Sequence, residues 1–184
     1  MKTIGENMSI NKHNAVAAMQ SWIDRPKAQT GYWLTLDAAL ADGHKPDAIA
    51  FEKLVNQFMI RLNNFCYGRA FRRRQKQLRA CGGIEIGYFM DRPHAHLVVL
   101  HDSGMLRSFA EVERKSREIW YALVGARGDI NGSLVDMQPV GDIGSRLSYA
   151  AKRFNARSDQ YGRLVMYGSA THCPASALGC DALN

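Results

Sequence analysis

The sequence holds no run of 18 consecutive apolar residues, which argues against a membrane-spanning helix. Its first 25 residues also lack the basic-then-apolar order of a secretory signal, so a cytoplasmic protein with no membrane association is expected. The four cysteines, Cys66, Cys81, Cys173 and Cys180, form no CxxC pair. Neither a zinc ribbon nor a thioredoxin-type redox pair is therefore indicated, and reduced thiols without a special role are expected. No GxxxxGK[ST] loop occurs, and 184 residues suit one domain of ordinary size with no room for a motor. Finally, residues 53–84 contain no acidic side chain at all.

That last gap locates the charge. The formal net charge is +7, and Lys53, Arg61, Arg69, Arg72, Arg73, Arg74, Lys76 and Arg79 all fall in this one segment, while basic and acidic residues nearly balance elsewhere. Such segregation is the footprint of a surface that meets a polyanion. Part of it also suits the negative end of a helix dipole.

Hydrophobic spacing supplies the elements. Residues 30–36 (TGYWLTL) read as a strand. Asp47 is placed to cap a long helix whose Phe51, Leu54, Val55, Phe58, Met59, Leu62, Phe65 and Cys66 recur at steps of three and four. Gly82-Gly83 is expected to stop that helical region, with strands at 84–89 and from His94 onward forming a hairpin through a turn at 90–93. Ser108 and Glu111 make a capping box for a helix carried by Val112, Ile119, Trp120 and Leu123. A strand near 133–140 and a helix over 143–154 complete the order βαββαβα. This predicts an α+β fold of ferredoxin-like type, a mostly antiparallel sheet with helices on one face and the other face open. The domain would span 30–155, preceded by an N-terminal extension (1–29) and followed by a tail (156–184) that supplies an edge strand or contacts DNA.

His94-Ala95-His96 is the most informative motif. Side chains alternate along a strand, so both imidazoles share one face with Val98, while Ala95, Leu97 and Val99 face the helices. His101 has the opposite parity and reads as structural. With the turn at 90–93, Phe89 pairs with His94, Gly87 with His96 and Glu85 with Val98, which puts Glu85 on the histidines' face. A shift of one residue would invert that result. Two imidazoles and a carboxylate make a workable divalent-ion site with positions left for substrate. Asp91 is the competing carboxylate, though turn chemistry accounts for it.

The helix over 143–154 carries Tyr149 away from a core stripe of Ile143, Leu147, Ala150, Ala151 and Phe154. Arg146, Lys152 and Arg153 lie three or four residues from it, a setting that would welcome a phosphate.

In order along the chain, the strand Trp33-Leu34-Thr35-Leu36, His94-Ala95-His96 and Tyr149-Ala150-Ala151-Lys152 resemble the motifs of the HUH endonuclease superfamily. The resemblance is to its single-tyrosine rolling-circle replication initiators (Rep) of plasmids and single-stranded DNA phages, and covers about 30–155. It implies a site-specific nickase for single-stranded DNA or an origin hairpin, with Mg²⁺ or Mn²⁺ on His94, His96 and Glu85. Tyr149 would form a 5′-phosphotyrosine and Lys152 would assist at the phosphate. A host helicase and replication machinery would be partners. Arg69, Arg72, Arg73, Arg74, Lys76, Arg79, Arg146 and Arg153 would contact DNA. Phe71, Tyr67, Tyr32 and Trp33 are either base-stacking residues or core.

Two other readings share some of these features. A single-tyrosine HUH transposase usually has an amide where this chain has Lys152, and a non-catalytic DNA-binding protein would use the basic segment alone. A relaxase places its tyrosine before the histidine strand, and a histidine-triad hydrolase needs a third histidine where Val98 stands.

Overall fold

The structure is a computed structural model that describes residues 12–23, 28–38, 46–74, 76–86, 93–102, 105, 107–125, 134–151 and 162–167. In chain order the elements are α1 (Lys12–Ile23), β1 (Ala28–Asp37), α2 (Ala48–Tyr67), α3 (Arg69–Arg74) and β2 (Arg79–Ile86). They continue with β3 (Pro93–Asp102), α4 (Phe109–Val124), β4 (Val135–Pro139), α5 (Ile143–Ala150) and β5 (Gly162–Tyr167). Among the described residues no helix is long and apolar enough to cross a membrane.

The two long helices start where their side chains supply acceptors. Asp47 accepts the Ala50 amide at 2.7 Å, and Ser108 and Glu111 form the reciprocal capping box of α4. Each helix ends at a glycine with positive φ, Gly68 at 52° and Gly125 at 69°, where L side chains are strained. Helix α2 therefore stops at Gly68, well before Gly82-Gly83, and that pair lies inside β2 rather than at a helix end. The reason is a close approach: a Cβ on Gly82 would run into the backbone carbonyl of His96 on β3. Arg79, expected with the helix, begins β2 instead.

The five strands lie in the order β4-β1-β3-β2-β5, with every neighbouring pair antiparallel. Strand β3 inserts between β1 and β2, which α2 connects, and β1 inserts between β3 and β4, which α4 connects. Two interleaved split βαβ units of this kind define the ferredoxin-like α+β plan. Strand β5 extends it at the β2 edge.

One face of the sheet presents Leu34, Leu36, Ile84, Ala95, Leu97 and Val99 to α2 and α4, forming the larger core. Trp120 of α4 is sealed between Phe51 and Phe58, edge-on to both at 5.7 Å, and its indole N–H donates to the Asp37 carbonyl at 2.8 Å. Buried Asn63 ties α2 to the start of β2. Its amide donates to the Met59 carbonyl, and its carbonyl accepts the Leu78 N–H at 2.6 Å.

The opposite face is not left open. Helices α1 and α5 cover part of it, burying Ala15, Met19, Leu147, Ala150 and Ala151 against Trp33, Cys81, Val98 and Leu100. Helices thus pack on both faces, not one. The physical reason lies in the strands: beyond His96, β3 presents the apolar pair Val98 and Leu100 on this side, and apolar sheet surface must be covered. The polar end, with His94, His96 and Glu85, lies beyond that second core.

A candidate metal centre beside an exposed tyrosine

Strand β3 places His94 and His96 on one face, and β2 brings Glu85 directly across from His94. The expected partner of Glu85 was Val98, so the observed register differs by four residues. An even shift preserves parity, and Glu85 remains on the histidines' face. The expected turn partners Gly87 and Phe89, and the competing carboxylate Asp91, lie outside the described residues.

The three side chains converge. One potential ligand atom from each of Glu85, His94 and His96 lies within 4.8 Å of the others. Glu85 Oε2 stands 3.4 Å from His94 Nε2, with Glu85 only 1% exposed and His96 6%. Asp37 stands across from His94 on its other side, in the β1–β3 register, and its Oδ1 is buried without a hydrogen-bond partner among the described residues. His94 thus has a carboxylate-bearing residue across from it on each neighbouring strand. The three side chains, two imidazoles and a carboxylate, could hold a metal ion.

His96 is held on several sides. Its ring stacks on that of Trp33 at 5.4 Å and 11° between planes, and meets His94 edge-on at 5.0 Å. The Thr35 hydroxyl lies 3.2 Å from its Nδ1. On a further side is Tyr149, whose ring is edge-on to His96 at 4.9 Å and to Trp33 at 5.7 Å. Helix α5 achieves this because Leu147, Ala150 and Ala151 bury its other stripe, leaving Tyr149 47% exposed. Asp142 caps α5, accepting the Ser145 amide, which sets where the helix begins.

Arg146 and Tyr149, expected to neighbour one another, both pack on Trp33. The Arg146 guanidinium lies 5.1 Å over the Trp33 ring and donates to Gln138 at 3.1 Å. Lys152 and Arg153, the other two cations expected there, lie outside the described residues. Arg69 and Lys76 are exposed, and Arg72, Arg73 and Arg74 belong to α3. Arg79 is half-buried on β2, six residues before Glu85, a span of about 20 Å along a strand.

Of the aromatic residues, Tyr32 and Trp33 are buried, and Tyr67 packs against the larger core. His101 stacks on Tyr32 at 5.2 Å. It lies on the α2–α4 side, away from the other two histidines. Cys66 and Cys81 are free and buried, and burial pushes both thiols up to about 12. Neither is a nucleophile at neutral pH.

Thr35 and Asp37 do not stand out in the sequence, although both alternate with Trp33 on β1. The signal was the ferredoxin-like order itself, which makes β1 the neighbour of the histidine strand and puts its odd-numbered residues on the histidines' face. Comparison with protein-family models, curated protein sequences and solved structures returns no match.

Proposed function

We propose that this chain is a single-tyrosine, metal-assisted nicking and joining enzyme for single-stranded DNA, of the HUH type, which starts rolling-circle replication at an origin hairpin. The observation that carries this reading is the 4.9 Å separation of the Tyr149 and His96 rings, which sets a solvent-accessible phenol against a candidate metal ligand.

Glu85, His94 and His96 would hold Mn²⁺ or Mg²⁺, the imidazole pair favouring Mn²⁺. Bound there, the ion would polarise the scissile phosphate and offset charge developing on its oxygens. The Tyr149 oxygen attacks phosphorus and loses its proton to solvent. The bond from phosphorus to the 3′-oxygen breaks, and that oxygen leaves with a proton as a free 3′-hydroxyl. The 5′-phosphate remains esterified to Tyr149. Because one phosphodiester replaces another, the reverse attack by a 3′-hydroxyl rejoins the strand without ATP.

Lys152, three residues beyond Tyr149, would neutralise the phosphate. Arg69, Arg72, Arg73, Arg74 and Lys76 would follow the backbone, with Arg146 and Arg153 nearer the scissile group. The setting would be cytoplasmic, with a host helicase supplying strand separation.

The test is incubation with Mn²⁺ and a 3′-labelled pool of single-stranded oligonucleotides of randomised sequence. A denaturation-resistant labelled adduct, absent with Tyr149→Phe, is the expected result. A pool that yields no adduct overturns the nickase reading. An adduct that survives Tyr149→Phe overturns the choice of nucleophile.

A further inference from the structure

We infer that Thr35 is a positioning residue for the metal centre: its hydroxyl holds His96 in the tautomer that leaves Nε2 free to bind the ion. This rests on the metal-site reading and adds to it a residue outside the ligand set.

Strand β1 pairs Thr35 directly with His96, and directly opposed residues share a face of the sheet. The contact is therefore built into the register of the two central strands. The Thr35 Oγ1 to His96 Nδ1 separation of 3.2 Å is a hydrogen-bond distance. A hydroxyl both donates and accepts, so it can serve either tautomer of an imidazole. Only one of the two leaves a metal ligand. With the proton on Nδ1 donated to Thr35, the Nε2 lone pair is free, whereas a hydroxyl donating to Nδ1 leaves a proton on Nε2 and blocks it.

An ion shared with Glu85 and His94 would need the first arrangement. Glu85 and His94 lie within 4.8 Å of His96 by their ligand atoms, and Nδ1 is engaged by Thr35. The nitrogen that remains for an ion shared with them is Nε2. The Trp33 ring, nearly parallel to the imidazole, fixes the ring plane but offers no polar atom to its face, whereas Thr35 presents a hydroxyl to Nδ1. Partners of this kind commonly alter metal affinity about 10- to 100-fold.

The test compares the full chain with Thr35→Val, which keeps the branched shape and removes the hydroxyl, and with Thr35→Ser, which restores it. Two readouts are taken: the His96 tautomer by nitrogen-15 NMR without metal, and Mn²⁺ affinity by calorimetry. The expected result is an Nδ1–H tautomer in the unsubstituted protein, tautomer mixing and about 10- to 100-fold weaker Mn²⁺ binding in Thr35→Val, and recovery of both in Thr35→Ser.

Thr35→Val that binds Mn²⁺ as tightly as the unsubstituted protein overturns the inference. So does an Nε2–H tautomer in the unsubstituted chain. If the unsubstituted chain takes up no Mn²⁺ at all, the metal reading fails and the role of Thr35 toward an ion fails with it. The two failures are distinguished by whether the parent protein binds.

Discussion

Glu85 faces His94 across the β2–β3 pair, its carboxylate 3.4 Å from the imidazole Nε2 and almost wholly out of water. An anion in that position gains from a cation that it can bind directly. In Glu85→Gln, the rise in melting temperature that Mn²⁺ gives the parent protein should disappear, because the amide is a poorer ligand. Thermal scans with and without Mn²⁺ decide this, and a preserved metal-induced rise would remove Glu85 from the ligand set.

How far the sequence led to this pair depends on parity more than on register. The expected partner of Glu85 was four residues away from the observed one, yet period-two alternation makes any even displacement harmless to the face. The α2 stripe, both N-caps and the βαββαβα order were legible for the same reason, as local periodicities and local hydrogen bonds. Gly82-Gly83 misleads because glycine carries the same sequence signal whether it ends a helix or admits a neighbouring backbone, and only β3 shows which. The covering of the second face depends on α1, whose fully buried residues among the described side chains are Ala15 and Met19. Thr35 is invisible as a site residue because its role arises from a contact 61 positions away.

Gly82→Ala should destabilise the fold near the top of the range of about 1–3 kcal/mol for overpacking, since the new methyl meets the His96 carbonyl rather than a flexible side chain. Because His96 must shift, Mn²⁺ affinity should fall as well. Chemical denaturation paired with metal titration reads both, and unchanged values in both would mean that the strands can part at this point.

Asn63→Ala should cost about 1–3 kcal/mol, because the Leu78 N–H loses its acceptor inside the protein. Metal binding should be unaffected. Equilibrium unfolding in urea measures the loss, and a change below about 0.5 kcal/mol would indicate that water replaces the amide.

Joint substitution of Arg69, Arg72, Arg73 and Arg74 by Ala should weaken binding of single-stranded DNA and flatten its salt dependence. The log–log slope should fall by about 0.7 for each phosphate that the arginines no longer neutralise. Fluorescence anisotropy over a salt series measures the slope. An unchanged slope would exclude α3 from the DNA surface.

Stability should fall as pH rises above about 9. Burial raises Cys66 and Cys81 from 9.0 to about 12 and Tyr32 from 10.0 to about 12, so the unfolded chain sheds these protons first and the folded form loses ground through that interval. Below about 9 these groups are protonated in both states and contribute no slope. Urea midpoints measured across the interval should decline, and less steeply for Cys81→Ala. An identical slope in that variant would mean that Cys81 titrates freely.

Helix α5, at eight residues, is barely two turns long, whereas Thr35, Glu85, His94 and His96 sit on β1, β2 and β3, each paired with a strand on both sides. The two parts of the site should therefore open at different rates. Opening the central strands requires breaking the sheet, and their amides should exchange with solvent near the rate of global unfolding. A short helix held by Leu147, Ala150 and Ala151 can detach at far lower cost. On the proposed reading, Tyr149 would travel with the strand bound to it and return to a centre whose geometry has not been disturbed.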